Sequence, residues 1–273
     1  MKKDNLENIF YKDLLKCLKK IKINKTKNIY VTSDLRQISM IRISKKKKLD
    51  LIIRSLKKVL GDGYTIFSPS SSFNIIDTKN TFYLDKTPSY KMGPLAEYIR
   101  CLKHSKRSLH PFWSISGIGK NSKVLNNISK HAYAYGSPWS KMLDLNTTQL
   151  NLGIKPSRAV TLIHHIETIC GVPYRFNKKF ECMISKKNKL YKDEFYLSVF
   201  FKNQNIKKRI KLNEHFFKKL KKENKILHIK SNFGLDMWSF KMRDFFEIAI
   251  SYFLNDMYNY LEYKPNLNFQ KKL

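Results

Sequence analysis

The segment NIYVT, residues 28–32, reads as a buried β-strand, because it is rich in β-branched and aromatic residues and ends at a Ser-Asp turn. Residues 49–60 then show the apolar spacing of an amphipathic helix, which stops at the turn GDG, residues 61–63. The segment YTIF, residues 64–67, is predicted as a second strand. This alternation of helix and strand predicts an α/β layered fold.

The regions on either side extend this pattern. Apolar residues at helical spacing predict an N-terminal helix over 6–22, a short helix over 160–169 and a last helix over about 242–261. Residues 87–120 are instead dense in Ser, Pro, Gly, His and Arg, which is typical of functional loops, and one helix over about 93–102 interrupts them.

The length favours a single domain. After Pro173 the sequence alternates between strands, such as residues 195–200, and charged turns. We expect one domain over residues 1–273, because a chain of this length buries a substantial core. Its parts are an N-terminal helix in 1–25, a core that carries the motifs in 28–180, and C-terminal strands and a helix in 181–273.

The chain is strongly basic, with a formal net charge of +33 from 54 lysines and arginines against 21 acidic residues. Lysines are spread along the whole chain and greatly outnumber arginines, a bias consistent with AT-rich codons. Proteins that read bases favour arginine for its bidentate fork, and no recognition helix, zinc finger or RNP motif is present. We therefore expect no nucleic-acid partner and keep a basic nucleic-acid-binding protein only as a remote alternative. The positive field favours anionic ligands such as phosphorylated cofactors.

Hydropathy and cysteine usage indicate a cytoplasmic protein. The sequence has no apolar run long enough to predict a membrane span, and its polar start lacks the pattern of a signal peptide. The four cysteines, Cys17, Cys101, Cys170 and Cys182, lie far apart and form no Cys-x-x-Cys pair. This spacing favours a reducing compartment and predicts no zinc site.

A candidate catalytic pair lies in the predicted helix over 160–169. His164 and Glu167 are three residues apart, so their side chains share one helix face. A carboxylate beside an imidazole sets its tautomer and favours proton uptake, which suits His164 as a general base. Thr161 lies one turn earlier on this face and is a candidate to hydrogen-bond a ligand. The alternative is an exposed surface pair, and His165 is expected to be structural.

Small hydroxyl residues, glycine and arginine occur together in the loop-rich stretch, from Thr87 through Gly93 to Arg107 and Ser114. Hydroxyls and backbone amides supply neutral hydrogen-bond donors, and a guanidinium group supplies a charged fork. This combination suits a bound pyrophosphate. The alternative is an ordinary Ser- and Pro-rich loop.

The order and spacing of these motifs resemble the aminoglycoside 3-N-acetyltransferase family, also called antibiotic N-acetyltransferases. The resemblance covers about residues 28–180. Its motifs are Thr-Pro at 87–88, Gly93, Glu-x-x-Arg at 97–100, Arg-Ser-x-His-Pro-x-x-Ser at 107–114, Gly119, Ser-Pro at 137–138, Thr-x-x-His-x-x-Glu at 161–167 and Tyr-Arg at 174–175.

The resemblance implies a three-layer α/β/α sandwich around a mixed sheet, an acyl-CoA donor and an amino-sugar acceptor. It places the catalytic base at His164, with Glu167 as its orienting partner. The coenzyme contacts that it implies are Ser33, Thr87, Ser89, Arg107, Ser108, His110 and Ser114. The candidate acceptor contacts are Asp34, Glu97, Tyr174 and Arg175.

The expected reaction is direct attack of the amine on the thioester in a ternary complex. His164 removes the ammonium proton, and a hydroxyl such as that of Thr161 or Ser114 stabilises the oxyanion. One alternative is a ping-pong route through Cys170, which lies well off the face of His164. The other alternative is a metal hydrolase in which His110 or His131 joins His164 and Glu167 as a metal ligand. The His-Glu-x-x-His signature of such enzymes is absent.

The acceptor is expected to be anionic. Aminoglycosides are polycations that require an acidic cleft, whereas this chain is strongly basic. A dTDP- or UDP-linked amino sugar of surface-polysaccharide synthesis, as in some relatives of the family, is therefore preferred to an aminoglycoside and antibiotic resistance. The acyl group is left open between acetyl and a longer chain, and a homo-oligomer also stays open.

Overall fold

The computed structural model describes residues 3–76, 78–201 and 212–265. The helices within these ranges are α1 (Lys3–Lys20), α2 (Lys45–Leu60), α3 (Pro94–Cys101), α4 (Pro138–Asp144), α5 (Leu162–Ile169), α6 (Leu212–Lys222) and α7 (Met242–Asn255). The strands are β1 (Asn28–Ser33), β2 (Thr65–Pro69), β3 (Phe82–Tyr83), β4 (Lys106–Arg107), β5 (Ile115–Gly119), β6 (Thr148–Leu152), β7 (Arg175–Lys186), β8 (Lys189–Phe200), β9 (Ile226–Lys230) and β10 (Asp236–Lys241).

A seven-stranded mixed sheet forms the centre, in the order β4-β5-β2-β1-β6-β10-β9. Strand β1 pairs in parallel with both β2 and β6, while the outer pairs are antiparallel. The carboxyl ends of β1, β2 and β6 therefore meet at one edge of the sheet. A second, three-stranded sheet consists of β3, β7 and β8, and its β7–β8 hairpin pairs over the full length of both strands.

Successive residues of the central strands face two separate apolar cores. Tyr30 of β1 and Phe67 of β2 pack into a core with α4, α5, α6 and α7, whereas Ile29, Val31 and Ile66 pack into a core with α1, α2 and α3. This alternation follows from the two-residue period of a strand. The sheet lies between two helical layers, so the predicted three-layer α/β/α sandwich is confirmed.

The helix boundaries differ from the prediction at two informative places. Helix α2 begins at Lys45, four residues earlier than expected, because the Ser44 side chain accepts a hydrogen bond from the Lys47 amide and caps the helix. Helix α7 ends at Asn255 although Tyr260 and Leu261 are buried further along. The chain is extended at Asp256, so these residues reach the core from a turn instead of a helix.

The loop-rich interpretation of residues 87–120 was wrong for part of that stretch, because it contains β4 and β5. Strand β5, ISGIG, is buried at its first four residues and pairs with β2. A strand buried on both faces has no polar alternation, and its small residues resemble a loop. Gly117 illustrates the requirement for small residues, since a Cβ there would lie 2.7 Å from the Phe67 ring.

No helix in the described part of the chain is both long and apolar enough to cross a membrane. The N-terminal helix, motif-bearing core and C-terminal region contribute to the same two cores as far as they are described. Residues 1–2, Asp77, 202–211 and 266–273 lie outside the described residues, so the predicted divisions 1–25 and 181–273 are each covered only in part.

Candidate active site

His164 and Glu167 form a hydrogen-bonded pair on the short helix α5. The His164 Nδ1 atom lies 2.7 Å from Glu167 Oε2. The Glu167 side chain is 0% exposed and that of His164 is 20% exposed. An exposed surface pair is therefore excluded, and the imidazole is the only member of the pair that reaches toward solvent.

Two further groups hold the Glu167 carboxylate. Arg175 Nη2 lies 2.9 Å from Oε2, and the Tyr174 hydroxyl donates to Oε1 at 3.1 Å. Burial acts to raise the pKa of Glu167, but the hydrogen bond and charge of His164 and the Arg175 guanidinium outweigh it and lower that pKa to about 2. The carboxylate is consequently ionised at neutral pH.

An ionised Glu167 sets the tautomer of His164. A carboxylate oxygen accepts hydrogen bonds, so the proton of the neutral ring lies on Nδ1 and leaves Nε2 as the basic nitrogen. Arg175 Nη2 is also 3.3 Å from Nδ1, but it donates to Glu167, since a protonated Nδ1 cannot accept. The arrangement is that of a general base with an orienting carboxylate.

Aromatic side chains enclose the His164 ring. The Tyr133 ring centroid lies 5.3 Å from it and that of Trp113 lies 6.3 Å away. His165, which is 2% exposed, is hydrogen-bonded through Nδ1 to the Tyr133 carbonyl oxygen and so holds the Tyr133 segment against the helix. These contacts restrict the orientation of the imidazole.

A cavity of about 730 Å³ opens where β1, β2 and β6 end. Ser33 and Asp34 line it after β1, Pro69 and Ser71 after β2, and Ile154 after β6. The crevice at the carboxyl ends of parallel strands is the usual ligand site of open α/β sheets. Thr161 and Trp113 also line the cavity, so it extends to the residues next to His164.

Two glycines allow the cavity walls to approach each other. Gly93 has φ of +87°, and a Cβ there would lie 3.3 Å from the Ser33 carbonyl oxygen. Gly153 has φ of +70°, and its Cβ would lie 2.0 Å from the Asp34 carbonyl oxygen. Both positions combine a left-handed backbone with close backbone contact, which only glycine accommodates without strain.

The charge of the cavity is predominantly positive. Its single carboxylate, Asp34, is paired with Arg36. The cationic residues that line it are Arg36, Lys45, Lys48, Lys91 and Arg158. Such a surface binds anionic groups and suits the phosphates of a coenzyme.

The predicted coenzyme contacts divide into two groups. Ser33 lines the cavity, as do the predicted residues Asp34 and Thr161. The cavity lining does not include the other six predicted contacts, which are Thr87, Ser89, Arg107, Ser108, His110 and Ser114.

Arg107 is buried, and its guanidinium donates in five directions to protein oxygens at 2.5–3.3 Å. These acceptors are Ser114 Oγ, Ser72 Oγ and the carbonyl oxygens of Ser70, Leu84 and Thr87. A guanidinium has five N–H groups, so all of them have a partner in this arrangement. The geometry therefore supports a structural part for Arg107 in joining the segment after β2 to the segment before α3.

The neighbours of Arg107 are equally enclosed. Ser108 Oγ accepts the Ile115 amide, and His110 Nδ1 accepts the Trp113 amide. Burial lowers the pKa of His110 to about 3, so this ring is neutral. These contacts shape the turn that places Trp113 against the cavity and His164.

The predicted acceptor contacts are also separated in space. Tyr174 and Arg175 join the His164–Glu167 pair. Glu97 instead accepts hydrogen bonds from Ser89 and Arg100. Burial acts to raise the pKa of Glu97, but the hydrogen bonds from Arg100 and Ser89 outweigh it and lower that pKa to about 2.

The sequence matches the family model described as aminoglycoside 3-N-acetyltransferase over residues 30–254. The chain belongs to this family. The predicted family and its enzyme class, an N-acetyltransferase that uses acetyl-CoA, are confirmed at that level. No curated protein matches the sequence.

Solved structures share the fold of this family member at low sequence identity. The YokD protein from Bacillus subtilis is 20% identical, with a TM-score of 0.72 over 90% of this chain and 99% of that chain. AAC-IIIb in a binary complex with CoASH is 15% identical, with a TM-score of 0.74 over 90% of this chain and 96% of that chain. AAC-VIa bound to sisomicin is 16% identical, with a TM-score of 0.73 over 89% of this chain and 96% of that chain.

The alternative chemistries lack support in the geometry of this acetyltransferase-family chain. Among the described residues no three His, Cys, Asp or Glu side chains gather as metal ligands, and His110 and His131 use ring nitrogens to accept backbone amides. Cys170 caps the C-terminal end of α5, and burial raises the pKa of its thiol, which makes it a poorer nucleophile at neutral pH.

Several residues that line the cavity were not identified from the sequence. Tyr30 was predicted only as part of a buried strand and Trp113 only as part of the loop-rich stretch, while Trp139 and Lys48 carried no prediction. A cue was present in the SPSSS turn, residues 68–72, because a hydroxyl-rich turn directly after a predicted parallel strand marks a ligand edge.

Proposed function

We propose that the protein transfers the acetyl group of acetyl-CoA to an amine of an amino sugar, with His164 as the general base. The observation that carries the proposal is a partly buried histidine, oriented by a buried carboxylate, next to residues at the end of a cation-lined cavity. The family to which the chain belongs supports the same reaction.

The proposed reaction is a direct displacement. The amine loses its proton to His164 Nε2 and attacks the thioester carbon, so that a C–N bond forms, the C–S bond breaks and the coenzyme leaves as a thiol after taking up a proton. A general base of this kind contributes about 10²–10⁴-fold. The Thr161 hydroxyl lines the cavity one turn before His164 and is the proposed donor to the oxyanion.

The cavity charge fits the coenzyme. Coenzyme A carries a pyrophosphate and a 3′-phosphate, and five cationic side chains line the cavity against one carboxylate that already has a partner. The coenzyme therefore accounts for the local positive charge. For this reason the basic cavity does not by itself require an anionic acceptor.

We propose an aminoglycoside-type amino sugar as the first candidate acceptor. The description of the family supports it, and AAC-VIa, which shares the fold, is bound to sisomicin in its structure. A nucleotide-linked amino sugar is the second candidate, because a chain with a net charge of +33 repels a polycation and attracts an anion at long range.

The test is thiol release from acetyl-CoA with a panel of acceptors that includes sisomicin and UDP- and dTDP-linked amino sugars. The proposed reaction is supported if the wild type turns over at least one of these acceptors and His164→Ala does not. Turnover that persists in His164→Ala rejects the assigned base. Preference for the nucleotide-linked sugars by kcat/KM selects the second acceptor over the first.

Cys170→Ser separates direct attack from a ping-pong route. Direct attack predicts near-normal kcat in this variant and no transfer of acetyl to the enzyme in the absence of acceptor. A burst of thiol release without acceptor, lost in Cys170→Ser, contradicts direct attack.

A further inference from the structure

Two residues that line the cavity carry a neutral hydrogen-bond donor with no partner among the described residues, and the hydroxyl-bearing residue Tyr30 lies beside them. Ser71 Oγ and Trp139 Nε1 are buried and unpartnered. The Tyr30 side chain is 1% exposed, lines the same cavity and contacts the Trp139 ring edge-on with centroids 5.3 Å apart. We call Tyr30, Ser71 and Trp139 the donor floor.

An unpartnered buried donor is unusual, because most buried polar side-chain atoms have a hydrogen bond. A buried donor without a hydrogen bond lowers the stability of the folded protein, so each such group calls for a physical reason. Two such donors on residues that line one cavity share a simple reason, which is that a ligand supplies their acceptors.

The chemistry of the floor differs from that of the cavity rim. Four of the five cationic side chains, those of Arg36, Lys45, Lys91 and Arg158, are exposed, whereas the floor residues are buried. Burial raises the pKa of the Tyr30 hydroxyl, which keeps it a neutral donor. Neutral donors in an enclosed site pair with neutral acceptors such as carbonyl oxygens, whereas exposed cations pair with phosphates.

We propose that the donor floor binds the amide carbonyl oxygens of the pantetheine arm, so that Tyr30, Ser71 and Trp139 position the arm between a phosphate-binding rim and the His164 end of the cavity. This inference rests on the proposed use of acetyl-CoA and adds the residues that orient its uncharged part. The rim holds the nucleotide half of the coenzyme through Lys91 and Arg158.

The experiment measures calorimetric binding of CoASH and of adenosine 3′,5′-bisphosphate, which has the phosphates but lacks the arm. The floor variants are Tyr30→Phe and Ser71→Ala, each of which removes one donor and nearly keeps the shape, and Trp139→Phe, which removes one donor together with part of the ring volume. Each is expected to weaken CoASH binding about 3- to 10-fold, the loss of one neutral hydrogen bond, and to leave the bisphosphate unchanged. Lys91→Ala and Arg158→Ala are expected to weaken both ligands.

Matched controls come from the same chain. Ser116 Oγ and Thr147 Oγ1 are also buried and unpartnered, but neither residue lines the cavity. Ser116→Ala and Thr147→Val are therefore expected to bind CoASH like the wild type. Urea unfolding of every variant establishes which ones are folded, and three independent floor positions keep the test decisive if one variant fails to fold.

The outcomes separate this inference from the proposed function. If the wild type binds no CoASH, the proposed function fails and the inference fails with it. If the wild type binds CoASH and the floor variants bind it equally well, or the controls lose as much, only the inference is overturned. A fall in kcat with unchanged CoASH binding also overturns it, because the donors then act on the thioester and not on the arm.

Discussion

The His164 cluster and the Arg107 cluster use similar residues in opposite ways. In the first, Glu167, Tyr174 and Arg175 are buried behind an imidazole that is 20% exposed. In the second, all five N–H groups of the Arg107 guanidinium have protein acceptors, and Ser114 is fully buried beside it.

The difference shows that residue type does not distinguish a catalytic group from a structural one. What distinguishes them is whether the group keeps an atom directed to a place that a substrate reaches. His164 is oriented through Nδ1 and keeps Nε2 as its basic atom, whereas Arg107 has no N–H group without a protein partner. The following predictions test this contrast, beginning with the largest effect.

Replacing His164 is expected to remove catalysis without unfolding the protein. His164→Ala loses the general base, so kcat should fall about 10²–10⁴-fold, with CoASH affinity within about twofold of the wild type. Steady-state kinetics and calorimetry check this. His165→Ala is the matched neighbour, and it should act mainly on stability. Equal losses of kcat in the two variants would contradict the assignment.

Replacing Arg107 is expected to destabilise the fold and to leave catalysis nearly unchanged. Arg107→Ala leaves several buried acceptors without a donor, so the free energy of unfolding should fall by about 3–5 kcal/mol, while kcat/KM of the folded fraction changes by less than about threefold. Urea denaturation with parallel assays measures both. Arg36→Ala, at a residue whose side chain is 88% exposed, should leave the free energy of unfolding nearly unchanged. A stable Arg107→Ala protein that no longer binds CoASH would restore Arg107 as a coenzyme contact.

Acid should destabilise the fold through His110. Burial lowers its pKa from 6.5 to about 3 in the folded state, so the unfolded chain binds more protons between these values. Its contribution to stability is complete above pH 6.5 and is lost as pH falls toward 3, by at most about 1.4 kcal/mol per pH unit. His110→Asn, which keeps an acceptor for the Trp113 amide, should reduce this slope in urea titrations at several pH values.

The control for this titration is His104→Asn. His104 is exposed and has φ of +68°, a conformation that asparagine tolerates. The control makes the same histidine-to-asparagine change at an exposed position. The assignment of the slope to His110 is wrong if the two variants titrate alike.

The smallest effect is expected at Tyr174. Tyr174→Phe removes one hydrogen bond to the Glu167 carboxylate, whose contacts with His164 and Arg175 remain. We therefore expect kcat to fall about fivefold, equivalent to about 1 kcal/mol. The acetyl-CoA KM should be unchanged, because Tyr174 does not line the cavity. A rise in KM without a change in kcat would place Tyr174 in substrate binding and not in orientation of the base.

Part of this picture was predictable from local sequence. The spacing of His164 and Glu167 determines that they share a helix face, and the alternation around NIYVT and YTIF determines an α/β fold. Strand β5 and the end of α7 were not predictable in the same way. Burial on both faces removes the polar alternation of β5, and a turn at Asp256 interrupts an apolar pattern that otherwise continues.

The sequence by itself determined the family, the layered fold and the pairing of His164 with Glu167, because each depends on spacings that a helix or strand converts directly into geometry. Only the tertiary structure decided which hydrogen-bonding groups are already occupied. Arg107 and Ser114 meet partners from distant segments, whereas Ser71 and Trp139 line a cavity and lack a side-chain partner within the described residues. Whether a donor has a partner depends on contacts between residues far apart in the chain, and local periodicity carries no information about them.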